Sequence, residues 1–130
     1  MPGTLLLDSE GLSKLYHRDR NVVIHVEAAR QEGIRVATTA MTRLEAEDRH
    51  LSQARIAWIL SRLDLYEITR TTSDSAADLL RTHQLDGYKY VIDAVLAAVA
   101  RSATPPVTIL TSDPEDLILL CGKGIEIIKV

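Results

Sequence analysis

The chain of 130 residues contains no phenylalanine, and only 4% of its residues are aromatic. Its core must therefore be built from leucine, isoleucine, valine and alanine, in keeping with a hydrophobic content of 46%. The single cysteine, Cys121, excludes an intramolecular disulfide and a cysteine-based zinc site. The four histidines have no metal-ligand spacing among them. Neither a disulfide framework nor a zinc site of Cys and His is expected to organise this fold.

A strong excess of one charge is also absent. The chain has 15 Lys and Arg against 18 Asp and Glu, for a formal net charge of −3. This balance argues against a surface that coats nucleic acid, although a local site can still meet phosphate through a bound cation. No apolar run approaches the length of a membrane span, and no signal peptide precedes Thr4. We expect one domain, residues 1–130, in the cytoplasm and without membrane contact.

Short apolar runs alternate with helical stretches along the whole chain. The runs predict strands at residues 4–7, 34–38, 65–69, 107–111 and 125–130. The stretches between them predict helices at residues 9–16, 22–31, 39–50, 51–63, 73–84, 88–101 and 113–121. This alternation is typical of an α/β domain with a mostly parallel sheet and right-handed crossovers.

Residues 109–120, ILTSDPEDLILL, combine the end of a buried strand, a polar turn and the start of a helix. Asp113 and Asp116 lie in the turn, and Pro114 occupies a position suited to a first helical residue. Parallel-sheet proteins bind ligands at such carboxyl ends of strands. The structural alternative is that Asp113 caps the helix and Asp116 completes a capping box or favours the helix dipole.

Two further aspartates point to the same region. Asp8 ends the first strand, so it meets Asp113 and Asp116 if the first and fourth strands are neighbours. Asp93 is the only charged residue in the apolar segment YVIDAVLAAVA, where desolvating a carboxylate is costly. Asp93 therefore needs a partner, and the structural alternative is an arginine or a backbone group.

Glu45 is open to two interpretations. Thr42 and Glu45 fit a capping box if the helix begins at Thr42. If it begins at Thr38 or Thr39, Glu45 lies near the second turn and can face the sheet edge. We favour the second, because Ala40, Met41 and Leu44 extend the apolar pattern upstream. Acids that converge without bases repel one another unless a cation binds between them, and hard oxygen ligands select Mg²⁺ or Mn²⁺.

Taken in order, LLLDS at Asp8, TTAMTRLE at Glu45, YVIDAVLAA at Asp93 and TSDPEDL at Asp113 resemble PIN-domain proteins. The resemblance is to the VapC-like toxin ribonucleases of bacterial toxin–antitoxin pairs, and it covers nearly the whole chain. It implies a three-layer α/β/α sandwich around a mostly parallel five-stranded sheet. It also implies a hydrolase that cuts RNA endonucleolytically with Mg²⁺ or Mn²⁺, a cognate antitoxin and a homodimer.

The resemblance assigns roles to particular residues. The implied catalytic acids are Asp8, Glu45, Asp93 and Asp113, and the implied metal ligands are Asp8, Asp93, Asp113 and Asp116. Thr111 or Ser112 resembles the hydroxyl that often helps to order such a site. We predict substrate contacts from Ser9, Lys89, Thr111 and Ser112.

The aromatic residues and the cysteine are open to more than one interpretation. Tyr88 and Tyr90 could stack on a base, but we expect them to pack in the core, and we expect Cys121 to be a small buried hydrophobe. We expect Trp58 to pack either in the core or in an interface, and residues 51–63 are a candidate dimer interface. Two functional alternatives remain: a catalytically silent PIN-like module that only binds a partner, and a receiver-like phosphoacceptor domain, which is disfavoured because Asp93 falls mid-helix.

Overall fold

The computed structural model describes residues 2–130. Its strands are β1 Thr4–Leu7, β2 Arg35–Thr39, β3 Asp64–Tyr66, β4 Val107–Thr111 and β5 Ile125–Lys129. Its helices are α1 Ser9–Tyr16, α2 Arg20–Gln31, α3 Ala40–Glu45, α4 Gln53–Ser61, α5 Arg70–Thr82, α6 Gly87–Ser102 and α7 Glu115–Cys121. The predicted alternation of strands and helices is therefore confirmed.

The five strands form one sheet in the order β3-β2-β1-β4-β5, and every strand pair is parallel. The chain builds from β1 outward to β3, then returns to add β4 and β5 on the other side. The strand order thus reverses between β1 and β4, where Leu7 is paired with Leu110. Receiver domains have the order 2-1-3-4-5, so the receiver-like alternative is wrong.

The sheet is covered on both faces because successive strand side chains point to opposite sides. Leu5 and Leu7 of β1 pack with the buried side chains of α1, α2 and α4. Leu6, between them, packs with Leu96 of α6 and Leu117 of α7. The continuous apolar run of β1 serves both cores, as expected for a central strand. The three-layer α/β/α arrangement predicted from the sequence is confirmed.

The two helices predicted at residues 39–50 and 51–63 are shorter than expected, because local hydrogen bonds occupy the segment between them. α3 ends at Glu45, and beyond it the carboxylate of Asp48 accepts a hydrogen bond of 2.8 Å from the backbone N–H of His50. Ser52 then caps α4 by accepting a hydrogen bond from the N–H of Arg55. Such short polar side chains compete with the helical backbone and favour turns and caps.

The strand predicted at residues 65–69 also ends early, at Tyr66. Thr69 is the N-cap of α5, and its hydroxyl accepts a hydrogen bond from the N–H of Thr72. α7 begins at Glu115 rather than at Asp113, and its N-cap, Pro114, makes no side-chain capping bond. The capping interpretation of Asp113 is therefore wrong, which removes one structural explanation for that carboxylate.

The exposure of Tyr88, Trp58 and Cys121 tests what was expected of these side chains from the sequence. Tyr88 is 89% exposed and Trp58 is 62% exposed, so core packing is wrong for both residues. Cys121 is fully buried as expected, and burial raises the pKa of its thiol to about 11. Within residues 2–130, none of the helices combines the length and the apolar character needed to span a bilayer.

Candidate active site

The candidate site lies at the carboxyl edge of the sheet, where β1 and β4 end side by side. Asp8 follows β1 directly, and Asp113 follows β4 by two residues. The expectation that the first and fourth strands are neighbours is confirmed. This edge is also the point at which the strand order reverses, where parallel sheets commonly bind ligands.

Asp8 is the most buried of the candidate acids, with only 9% of its surface exposed. It is the N-cap of α1, and its Oδ1 accepts a hydrogen bond of 2.7 Å from the N–H of Gly11. Burial raises the pKa of Asp8, whereas its hydrogen bonds with Thr111 and Gly11 lower it. A Cβ at Gly11 would come within 2.8 Å of the Leu110 carbonyl oxygen, so this glycine allows α1 to begin close against β4.

Thr111 connects the two strand ends. Its side chain is completely buried, and its hydroxyl lowers the pKa of the neighbouring Asp8. Its Oγ1 also accepts a hydrogen bond of 3.0 Å from the backbone N–H of Asp113. Thr111 therefore lies beside Asp8 and holds the backbone that carries Asp113.

Asp93 is half-buried on α6 and has the most perturbed carboxyl of the site. Burial is the largest cause that raises its pKa, to about 6. Four other carboxylates raise it further, in decreasing order Asp116, Asp8, Glu45 and Asp113. Among residues 2–130 no ion pair includes Asp93. The arginine partner proposed as the structural alternative is therefore wrong for this part of the chain.

The other acids lie around Asp93 on separate elements. Asp116 is in the first turn of α7, and Asp113 is exposed in the loop that precedes this helix. Glu45 is the exposed last residue of α3. α3 begins after Thr39, which caps it by accepting a hydrogen bond from the N–H of Thr42. This start favours the interpretation that places Glu45 at the sheet edge and not in a capping box.

The chemistry of these side chains fits a hard divalent cation. All five candidate acids offer carboxylate oxygens, the ligands that Mg²⁺ and Mn²⁺ prefer, and they act on one another without a base to balance them. Within residues 2–130, no three acidic, His or Cys side chains are close enough to hold one ion between them. The acids are thus neighbours that repel one another, and Glu45 and Asp113 are the most exposed of them.

The four predicted substrate residues lie in four different settings. Ser9 and Glu45 line the same cavity of about 410 Å³, together with Glu10, Glu47, Asp48, Arg49 and His50. The hydroxyl of Ser112 donates to the carbonyl oxygen of Val130 at 3.3 Å. Lys89 is exposed on α6, one turn before Asp93. Thr111 is too deeply buried for an external group to reach, so its position is that of a supporting residue.

Sequence reasoning did not identify the buried threonines on the β2 side of the site. The hydroxyl of Thr38 donates to the carbonyl oxygen of Leu7 at 2.8 Å, directly before Asp8. The hydroxyls of Thr39 and Thr42 lie 2.9 Å apart, and all three side chains are completely buried. The sequence does contain a signal for these residues, the threonine-rich segment TTAMT at the end of a strand. Backbone groups lose their strand partners at such a point, and threonine hydroxyls can form hydrogen bonds with them instead.

Comparisons with known proteins identify the fold. No family model matches the sequence, and no curated protein matches it either. Solved structures do match: VapBC2 from Rickettsia felis bound to a promoter DNA fragment has 11% identity and a TM-score of 0.67, with 98% of each chain covered. VapBC-1 from nontypeable Haemophilus influenzae has 14% identity and a TM-score of 0.65, with 97% of each chain covered.

A third match is VapBC-5 from Mycobacterium tuberculosis, a member of the VapBC family of toxin–antitoxin systems. It has 21% identity and a TM-score of 0.56, and the match covers 99% of this chain and 100% of that one. The present chain therefore has a VapC-like PIN-domain fold, and the resemblance read from the sequence is confirmed at the level of the fold.

Proposed function

We propose that this chain is a metal-dependent endoribonuclease and the toxin component of a type II toxin–antitoxin pair. The observation that carries the proposal is the environment of Asp93, a half-buried carboxyl whose pKa four other carboxylates raise. Such repulsion has no use in a structural role, but it favours the binding of a cation. The match to chains of VapBC complexes supports the choice of this class over other metal-binding folds.

The roles proposed for the side chains follow from their positions. Asp8, Asp93, Asp113 and Asp116 would hold Mg²⁺ or Mn²⁺ through their carboxylate oxygens. When bound, such an ion activates a water and offsets charge on the phosphate. Glu45 makes no hydrogen bond within residues 2–130, so its exposed carboxylate is free to accept the proton of the attacking water.

Besides serving as a metal ligand, Asp8 would hold a fixed position in the site. The N–H of Gly11 holds its carboxylate, and Asp8 is the most buried of the proposed ligands, so its position is set before an ion binds. Fixed ligands reduce the reorganisation that the reaction requires.

The nuclease proposal is tested with a mixed RNA pool. We expect cleavage in Mn²⁺, none in excess EDTA, and recovery when Mn²⁺ is restored above the EDTA concentration. A gel or capillary electrophoresis of end-labelled RNA measures the products. Intact RNA under all three conditions would reject the nuclease and favour the catalytically silent module that binds only a partner.

We also propose a cognate antitoxin as the partner. The matched structures are VapBC complexes and a FitAB complex bound to IR36 DNA, so chains of this fold occur in them with another protein. The product of the neighbouring upstream reading frame is the first chain to test. Its co-purification with this chain, and loss of RNA cleavage in the complex, would support the pairing.

We propose that the chain forms a homodimer through α4. Trp58 and Ile24 are exposed at 62% and 58%, and they line a groove of about 460 Å³ between α2 and α4. We expect a dimer in sedimentation velocity, and a shift of Trp58→Ala towards monomer because a large aromatic contact is lost. The exposed Tyr88→Ala serves as the control. A wild-type monomer at high concentration, or a dimer unaffected by Trp58→Ala, would contradict this interface.

A further inference from the structure

Two residues of α6 lie beyond the acidic site on the same side of the helix. Lys89 and Tyr90 precede Asp93 by four and three residues, a spacing that places helical side chains on one face. Further along the same face, Leu96 and Ala97 pack against the sheet and α7. The first turn of α6 therefore holds Lys89 and Tyr90 one turn before Asp93, on the side of the helix that carries this acid.

Neither side chain has a structural role that explains it. Tyr90 is only partly buried and belongs to none of the hydrophobic clusters of residues 2–130. The expectation that it packs in the core is therefore wrong. In the same part of the chain no carboxylate pairs with Lys89, whose Nζ lies 5.3 Å from the centre of the Tyr90 ring. An ammonium group over an aromatic face is a weak contact when exposed, so both groups remain available.

We infer that Lys89 and Tyr90 form a nucleotide subsite next to the cleavage site, in which Tyr90 stacks on an unpaired base and Lys89 binds the adjoining phosphate. This inference rests on the proposed nuclease function. Lys89 supplies positive charge one helical turn from Asp93, and phosphate contacts come mainly from Lys and Arg. A base must be unpaired for its face to reach an aromatic ring, so the substrate at this subsite is single-stranded RNA.

The test measures binding of a fluorescein-labelled single-stranded oligoribonucleotide by polarisation, with every variant made in an Asp8→Asn background so that the RNA stays intact. We expect Tyr90→Leu to weaken binding about tenfold, because a base–aromatic stack is lost. Tyr90→Phe keeps the ring and should bind as the parent does. Tyr88→Leu is the matched control: Tyr88 lies two residues away, on another side of the helix, and is more exposed.

Lys89→Gln has its own signature. It should reduce the slope of log K against log salt concentration by about 0.7, the value expected when one phosphate contact to a single strand is removed. Duplex RNA should bind with equal strength to the parent and to Tyr90→Leu. The subsite would be wrong if the parent, Tyr90→Leu and Lys89→Gln bound single-stranded RNA with equal affinity. It would also be wrong if Tyr88→Leu lost as much RNA affinity as Tyr90→Leu.

The two proposals fail in different ways. A wild-type chain that cuts the RNA pool, with both variants binding normally, would leave the nuclease intact and remove the subsite. A wild-type chain that neither cuts nor binds RNA removes both. If Tyr90→Leu changes only the sedimentation coefficient, the side chain contacts a protein partner and the RNA subsite is wrong. Circular dichroism of each variant confirms that α6 is retained, since Tyr90 lies outside the core clusters.

Discussion

Asp8→Asn and Asp113→Asn are each expected to lower the rate of RNA cleavage by at least about 10²-fold, because each removes a charge and a ligand from the site. The folded structure should survive both changes. An asparagine at position 8 can still accept the hydrogen bond from Gly11 and is as good an N-cap as aspartate. Asp113 is exposed, and substitutions at such positions rarely alter stability by more than about 0.5 kcal/mol.

The matched control for these variants is Asp74→Asn. Asp74 is exposed on α5, and it is not among the carboxylates that raise the pKa of Asp93. Initial rates of cleavage of one labelled RNA, measured over a range of Mn²⁺ concentrations, separate weaker metal binding from slower chemistry. Wild-type rates in either Asp8→Asn or Asp113→Asn would place the chemistry elsewhere, whereas loss of activity in Asp74→Asn would indicate a nonspecific effect.

Asp93→Asn is expected to have two opposite effects: loss of RNA cleavage and a higher melting temperature in EDTA. Asparagine is nearly isosteric with aspartate and carries no charge, so it relieves the repulsion from Asp116, Asp8, Glu45 and Asp113. Asp93 is partly exposed, so solvent screens much of this repulsion. We expect a rise of about 3–5 °C, which corresponds to roughly 1 kcal/mol in a domain of this size.

The difference in melting temperature between wild type and Asp93→Asn should depend on pH, and its direction follows from the pKa of Asp93. The folded-state pKa of Asp93, about 6, lies above its ordinary value of 3.8, so the folded state binds the proton more tightly than the unfolded state. The stability contributed by Asp93 is therefore fully present below about pH 4 and is lost as the pH rises through 6. Thermal melts should show wild type and Asp93→Asn close together at pH 4 and separated at pH 7.

Added metal should also change the melting temperatures of wild type and Asp93→Asn by different amounts. Mg²⁺ or Mn²⁺ should raise the melting temperature of the wild type through preferential binding to the folded state, and should do so much less for Asp93→Asn. Asp74→Asn should behave as the wild type does in both EDTA and metal. A clear drop in the melting temperature of Asp93→Asn in EDTA would mean that Asp93 has a stabilising partner, and it would remove Asp93 from the proposed metal site.

Particular elements show how far sequence patterns can determine the fold. β1 and β4 occupy the predicted residues 4–7 and 107–111, because each is a short apolar run bounded by polar or proline residues. The sequence predicts a helix in the segment between residues 45 and 53, but the structure has a loop there. Hydrogen bonds from backbone N–H groups to the side chains of Asp48 and Ser52 favour the loop over a helix.

The sequence by itself determined the fold class, the parallel sheet and the identity of the candidate acids, because periodicity and the order of short motifs are local properties of the chain. Only the tertiary structure decided which acids influence one another. The pairing of β1 with β4 brings Asp8 and Asp113 to one edge of the sheet, and the packing of α6 against the sheet brings Asp93 to them. It also decided the exposure of Trp58 and Tyr88. A single large side chain suits a core and a surface contact equally well, and burial depends on which other elements reach it.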